Sequence, residues 1–185
     1  MVLPIVAYGD PVLRKVGVEI SKDYPDLAKL IDDMFETMEK SKGVGLAAPQ
    51  INKPIRLFII DSTRMYDEDE KNEGIVEVFI NAKMIKETGD DWPYEEGCLS
   101  IPNVREDVYR NETIRIQYLD RNFKKQEKEF SGLTARVIQH EYDHIEGKLF
   151  IDHLKPLKRS LLKGKLEKIS KGIVDVNYKM KFPKK

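Results

Sequence analysis

One pentapeptide narrows what this chain can fold into more than any other stretch: His140-Glu141-Tyr142-Asp143-His144. On a helix, positions four apart differ by about 40° of rotation and about 6 Å of rise, so both imidazoles face one way. Two neutral imidazoles on one face can grip a transition-metal ion. The glutamate between them falls close enough to act as general base on a water held by that ion. Two of the chain's 3 histidines are spent here; His153 fits no ligand spacing and reads as a surface residue.

Two histidines make half of a tetrahedral site, so a third protein ligand is needed. A downstream glutamate is one route, and Glu167 is the obvious candidate, although it lies in a basic tail. A glycine followed by a third histidine is another. Gly147 is in place, but the histidine position holds Phe150, which has no donor atom. Cys98 is the remaining soft ligand, within Glu95-Glu96-Gly97-Cys98-Leu99-Ser100, where Gly97 would let the backbone come close to the metal. One cysteine with two histidines leaves a coordination position open, as in catalytic rather than closed structural sites. A lone buried cysteine is as readily a small hydrophobe. The complete motif on an inward stripe, with a cysteine elsewhere, favours a metal site.

The 185 residues suit a single domain spanning 1–185, with a core over 1–155 and a basic tail over 156–185. Hydrophobic residues at 41% and charged residues at 35% fit a globular protein rather than a disordered or membrane one. No apolar run approaches the roughly 18 residues that span a bilayer. The start, Met1-Val2-Leu3-Pro4-Ile5, lacks the features of a secretory signal, so a cytoplasmic location is expected. A single cysteine excludes an internal disulfide framework. The net charge of zero hides an asymmetry: residues 155–185 hold eleven Lys or Arg against Glu167 and Asp175, a surplus of nine, and residues 1–154 balance it.

Along the chain, residues 26–38 carry Leu27, Leu30, Ile31, Met34, Phe35 and Met38 at the spacing of one helical face. Gly43 and Gly45 break this helix and open a small-residue loop to Gln50. Apolar, β-branched runs at 55–60, 76–80 and 113–118 read as strands, and the acidic stretch 64–74 as a mobile loop. A second helix is expected over 131–146, capped by Ser131 and stopped at Gly147. Leu133, Val137, His140, Glu141 and His144 share its inward stripe. Residues 148–154 read as extended. Residues 156–170 read as an amphipathic helix docked by Leu157, Leu161, Leu162, Leu166 and Ile169, and 173–176 as a short strand.

Three motifs in order resemble the bacterial peptide deformylases: Gly43-Val44-Gly45-Leu46-Ala47-Ala48-Pro49-Gln50, Glu96-Gly97-Cys98-Leu99-Ser100 and Gln139-His140-Glu141-Tyr142-Asp143-His144. Tyr8-Gly9-Asp10-Pro11-Val12-Leu13 extends the resemblance over residues 1 to about 155. It implies an α+β fold, with mixed or antiparallel sheets packed around a central metal-binding helix, an N-terminal helix and a C-terminal amphipathic helix or tail.

The resemblance also implies roles. Cys98, as thiolate, His140 and His144 hold one divalent metal, and metal-bound water attacks the formyl carbon with Glu141 as general base. The Gln50 amide and the Leu99 backbone N–H receive the oxyanion. Val44, Gly45 and Gly97 bind the peptide backbone, while Val44, Tyr94, Leu133 and Val137 wall a methionine pocket with His140 at its base. Arg105 lies near the substrate and Glu96, or forms an ordinary ion pair. Arg136, where many bacterial members have an apolar residue, is expected to extend over the pocket rim with its head in water. Fe2+ is the implied metal in the cell, with Zn2+, Ni2+ or Co2+ as substitutes. The implied partners are N-formylmethionyl nascent peptides and, through the basic tail, the ribosome; no membrane and no specific DNA. An endopeptidase and a non-catalytic metal-binding adaptor are the rival classes.

Overall fold

A computed structural model describes residues 1–183, apart from the side chains of residues 68, 71 and 72. Lys184 and Lys185, counted in the basic tail, lie outside the described residues. In chain order the elements are β1 (Ile5–Val6), α1 (Leu27–Lys40), β2 (Gly45–Ala47), β3 (Leu57–Asp61), β4 (Val76–Cys98), β5 (Ile101–Leu119), β6 (Lys125–Ser131), α2 (Gly132–Ile145), α3 (Pro156–Ser170) and β7 (Met180–Lys181). An antiparallel sheet runs β2-β3-β4-β5-β6, and β1 pairs in parallel with β7. The fold is α+β, as expected. No helix among the described residues is long and apolar enough to cross a membrane.

The alternation of strand side chains builds the centre. Leu57 and Ile59 of β3 point one way, into a cluster with Leu30, Ile31, Met34 and Met38 of α1. Phe58 and Ile60 point the other way, against Ala135, Ile138 and Ile145 of α2. The sheet is therefore sandwiched between two helices, which explains why β3 reads as an unbroken apolar run. Phe58 and Phe79 stack at 4.6 Å across β3 and β4 on the α2 side. A third cluster joins Ile101, Val104 and Val108 of β5 to Val12, Leu13, Phe150 and, from α3, Leu166 and Ile169.

Several local expectations change. β4 and β5 extend far beyond the short runs read from β-branched residues, because register shifts between Ile80 and Lys83, Met84 and Lys86, Thr88 and Asp91, and Gly97 and Cys98 carry a long hairpin through polar sequence. The small-residue loop contains β2 and a 3₁₀ turn, Ala48–Ile51. The acidic stretch is built from 3₁₀ turns at Ser62–Met65 and Glu68–Glu73, and Phe150–His153 is a 3₁₀ turn rather than extended chain. No strand forms at 173–176; the pairing comes later, at β7.

α2 begins where expected, but the Ser131 side chain makes no capping bond. Its end is a Schellman closure: Lys148 N–H donates to Asp143 O at 2.8 Å and Gly147 N–H to His144 O at 3.2 Å, with Gly147 at φ +70°. α3 matches its expected span yet docks only through Leu162, Leu166 and Ile169, leaving Leu157 and Leu161 exposed.

Candidate metal centre

α2 delivers His140, Glu141 and His144, and the end of β4 delivers Cys98. Ligand atoms of Cys98, His140 and His144 all lie within 4.8 Å of one another in buried surroundings. His144 Nε2 is 3.3 Å from Cys98 Sγ. His140 Nδ1 is 2.9 Å from Glu96 Oε2, and a hydrogen bond donated there leaves Nε2 as the free ligand atom. Phe150 stacks on the His140 ring at 6.0 Å. A sulfur and two imidazole nitrogens form a donor set suited to a divalent transition metal. The buried Glu141 Oε2 has no hydrogen-bond partner among the described residues, so a group inside the site is needed to satisfy it. The residues present fit such an ion.

The electrostatics agree with that fit. Burial pushes the Cys98 thiol up, but the charge of His144 and the hydrogen bonds of both histidines outweigh it and bring it down to about 5. Burial raises Glu141 to about 7 against the opposing charges of His140 and His144. Burial likewise works against ionised Glu96, yet the His140 hydrogen bond and the Arg110 charge hold it well below the usual carboxylate range.

Glu96 is the hub of the surrounding shell. Arg110 grips it through Nε to Oε1 at 2.7 Å and Nη2 to Oε2 at 3.1 Å, and Arg136 Nη1 donates to Oε1 at 3.1 Å. Arg110 also reaches Asp143 at 2.8 Å. His153, exposed as expected, is 2.7 Å from the same Asp143 oxygen and so belongs to this network.

A cleft of 1170 Å³ opens on the cluster and is lined by Val44, Gly45, Gln50, Tyr94, Glu96, Gly97, Cys98, Leu99, Arg105, Arg136, Val137, His140 and Glu141. Glycine is required at position 45, because an added Cβ would sit 2.4 Å from Glu141 Oε1. Gly43 is likewise a position of close approach, to Leu99 at 3.0 Å; left-handed backbone after α1 falls instead on Lys42. Gln50 Oε1 accepts from Ala47 N–H at 2.9 Å, which aims its Nε2 at Cys98 Sγ and Ser100 Oγ, 3.4 and 3.3 Å away.

Two expected residues stand elsewhere or differently, and Arg105 takes the ion-pair alternative. Leu133, in the first turn of α2, borders a separate cavity of 530 Å³ with Tyr66 and Trp92. Arg136 does not extend into water. It is 2% exposed and donates to Val108 O at 2.8 Å and Trp92 O at 2.6 Å, with its guanidinium 4.4 Å over the Trp92 ring. Buried acceptors and an aromatic face hold it more strongly than solvent does. Arg105 pairs with Glu95 at 3.4 Å, both largely exposed, and leaves Glu96 to Arg110 and Arg136. Arg110, Asp143, Ser100 and Tyr178 were not singled out from the sequence. Their parts depend on strand register and on chain segments far apart, which no local pattern encodes.

A site of this make-up suits hydrolysis assisted by a divalent metal ion. The family model for polypeptide deformylase matches residues 2–160. A peptide deformylase of Cytophaga hutchinsonii is 59% identical over 183 residues, covering 99% of this chain and 98% of its own. The crystal structure of a peptide deformylase from Legionella pneumophila superposes with a TM-score of 0.79 at 38% identity, over 94% of this chain and 98% of that one. A plant peptide deformylase superposes with a TM-score of 0.83 at 32% identity, over 96% of each. The chain belongs to the polypeptide deformylase family.

Proposed function

We propose that this enzyme removes the formyl group from the N-terminal formylmethionine of newly synthesised chains, releasing formate and a free amino terminus. Family membership supports the reaction. The observation that carries the assignment of parts is Glu141, buried beside the Cys98, His140 and His144 cluster with one carboxylate oxygen unpaired and the other against Gly45.

Cys98, His140 and His144 would hold a divalent ion, which would supply Lewis acidity to activate water near neutral pH. Glu141 takes the proton from the attacking water and passes it to the departing amine, a task suited to a buried carboxyl with one oxygen unpaired beside the cluster. Gln50 Nε2 and the Leu99 N–H donate to the oxyanion as it forms. The short strand β2 lies at the edge of its sheet, beside the cleft, which supports binding of the peptide as an added strand along Val44, Gly45 and Gly97. The methionine side chain then enters between Val44, Tyr94 and Val137 with His140 at the base. Ferrous iron is the proposed resident ion; the same donor set accepts zinc, nickel or cobalt.

An anaerobic assay of the iron-loaded protein on formyl-Met-Ala-Ser tests the reading. Formate release is expected, lost in Glu141→Gln with metal content unchanged. Cleavage of internal bonds without formate identifies an endopeptidase. No turnover, with stability that depends on metal, identifies a binding protein. Either of the last two overturns the proposal.

The basic tail has a second proposed use, contact with the ribosome, supported by Leu157 and Leu161 standing exposed on a helix rich in lysine. Salt-dependent ribosome binding that vanishes on neutralising Lys158, Lys163 and Lys165 is the expected result, since phosphate contacts are lost one by one.

A further inference from the structure

β4 and β5 are joined by two residues, Leu99 and Ser100, with Cys98 paired to Ile101. Two-residue hairpin loops favour turns with left-handed backbone at the first central residue, because that geometry matches strand twist. Neither Leu99 nor Ser100 has positive φ. The turn that carries the cysteine therefore lacks the favoured hairpin geometry, adjoins a register shift between Gly97 and Cys98, and is tied from outside. Tyr8 N–H donates to Ser100 O at 2.8 Å, Gln50 Nε2 lies 3.3 Å from Ser100 Oγ, and Tyr178 Oη donates to Leu99 O at 2.8 Å.

Two of these ties come from the chain segments that pair with each other. Tyr8 lies two residues beyond β1 and Tyr178 two residues before β7, and the strands match Ile5 to Met180 and Val6 to Lys181. Asn103 Nδ2 secures the same C-terminal segment through Asp175 O at 3.2 Å. The Tyr178 ring is half-buried and lines the cleft. Residue 178 lies past residue 160, where the match to the family model ends.

We propose that Tyr178 is a positioning residue for the hydrolysis: its hydroxyl fixes the Leu99–Ser100 peptide group and, through this short turn, the direction of the adjoining Leu99 N–H. This rests on the reading above, in which the Leu99 N–H meets the oxyanion. A turn without its preferred backbone geometry drifts when one tie is cut, and donors aimed at a transition state lose effect with small displacements.

The test is Tyr178→Phe in the full-length, iron-loaded enzyme, which keeps the ring and its packing. kcat on formyl-Met-Ala-Ser is expected to fall about tenfold with KM within about twofold of the parent, a loss typical of a small misplacement. Metal content and thermal midpoint should match the parent, and amide exchange at Leu99 and Ser100 should quicken. Unchanged kcat overturns the role, as does a loss that tracks released metal or early melting. If the parent itself releases no formate, the functional reading falls; equal turnover by both proteins removes only the part given to Tyr178.

Discussion

Arg136 is tied to Glu96 by a 3.1 Å hydrogen bond deep in the protein, and Glu96 in turn holds the Nδ1 edge of His140 at 2.9 Å. A cation on the buried side of α2 thus orients a candidate metal ligand through one carboxylate. Removing the guanidinium takes one of two donors from Glu96 Oε1 and the side-chain donors from the carbonyls of Val108 and Trp92. Arg136→Met should destabilise the zinc-loaded protein by about 3 kcal/mol in urea unfolding. Arg136→Lys should recover little, because one ammonium cannot serve three acceptors set in a fork.

Gly45 and Glu141 are in contact, with no room for a methyl group between them. Gly45→Ala should push the carboxylate from its seat. kcat should fall by about 100-fold, the scale of losing well-placed general-base catalysis. Metal stoichiometry, read by elemental analysis, should stay at the parental value; joint loss of metal and activity would point to collapse of the site instead.

Asp143 titrates well below its value in an unfolded chain. Burial opposes this, but the His153 hydrogen bond and the Arg110 charge bring it to about 2. A depressed carboxylate contributes fully above the unfolded value, roughly pH 4, and its contribution disappears as pH drops through 2. Asp143→Asn should lower stability at pH 7 by about 2 kcal/mol and flatten the acid limb of the stability curve between those limits. Urea midpoints measured from pH 7 down to pH 2 decide it; parallel curves for both proteins would contradict the assignment.

Stripping the metal leaves a cysteine whose thiol is held at about 5 by its two histidine neighbours, despite burial. At pH 6.5 the apoprotein should therefore react with iodoacetamide at Cys98 far faster than an ordinary thiol, whose thiolate is scarce there. Zinc added first should block the reaction. Labelling at equal rates with and without zinc would remove Cys98 from the ligand set.

The candidate cluster of Cys98, His140 and His144 was legible because few residues could form it. The spacing of His140 and His144 survives any tertiary arrangement of the helix, and Cys98 is the lone thiol. The helical face of α1 and the apolar runs of β3 were legible because their patterns are local. What escaped depends on register and distance. Arg110 reaches Glu96 and Asp143 only because bulges set how β4 lies on β5. Arg136 reads as a surface cation until three buried acceptors are placed around it. Gly43 looks like a helix breaker until Leu99 is brought against it. The leucines of α3 have the right period, but periodicity does not say that the body ends before it covers Leu157 and Leu161.

The pairing of β1 with β7 also sets an order of events. Ile5 leaves the synthesis machinery well before its partner Met180, which follows only after all the residues between them have been made. Contacts so far apart close late, because the intervening chain must first be organised. The helices and the central sheet can therefore mature while the cysteine turn is still loose. With Tyr178 in its proposed role, full activity waits for this pairing, and local unfolding that starts by peeling β7 away would lower it while leaving the bulk of the structure standing.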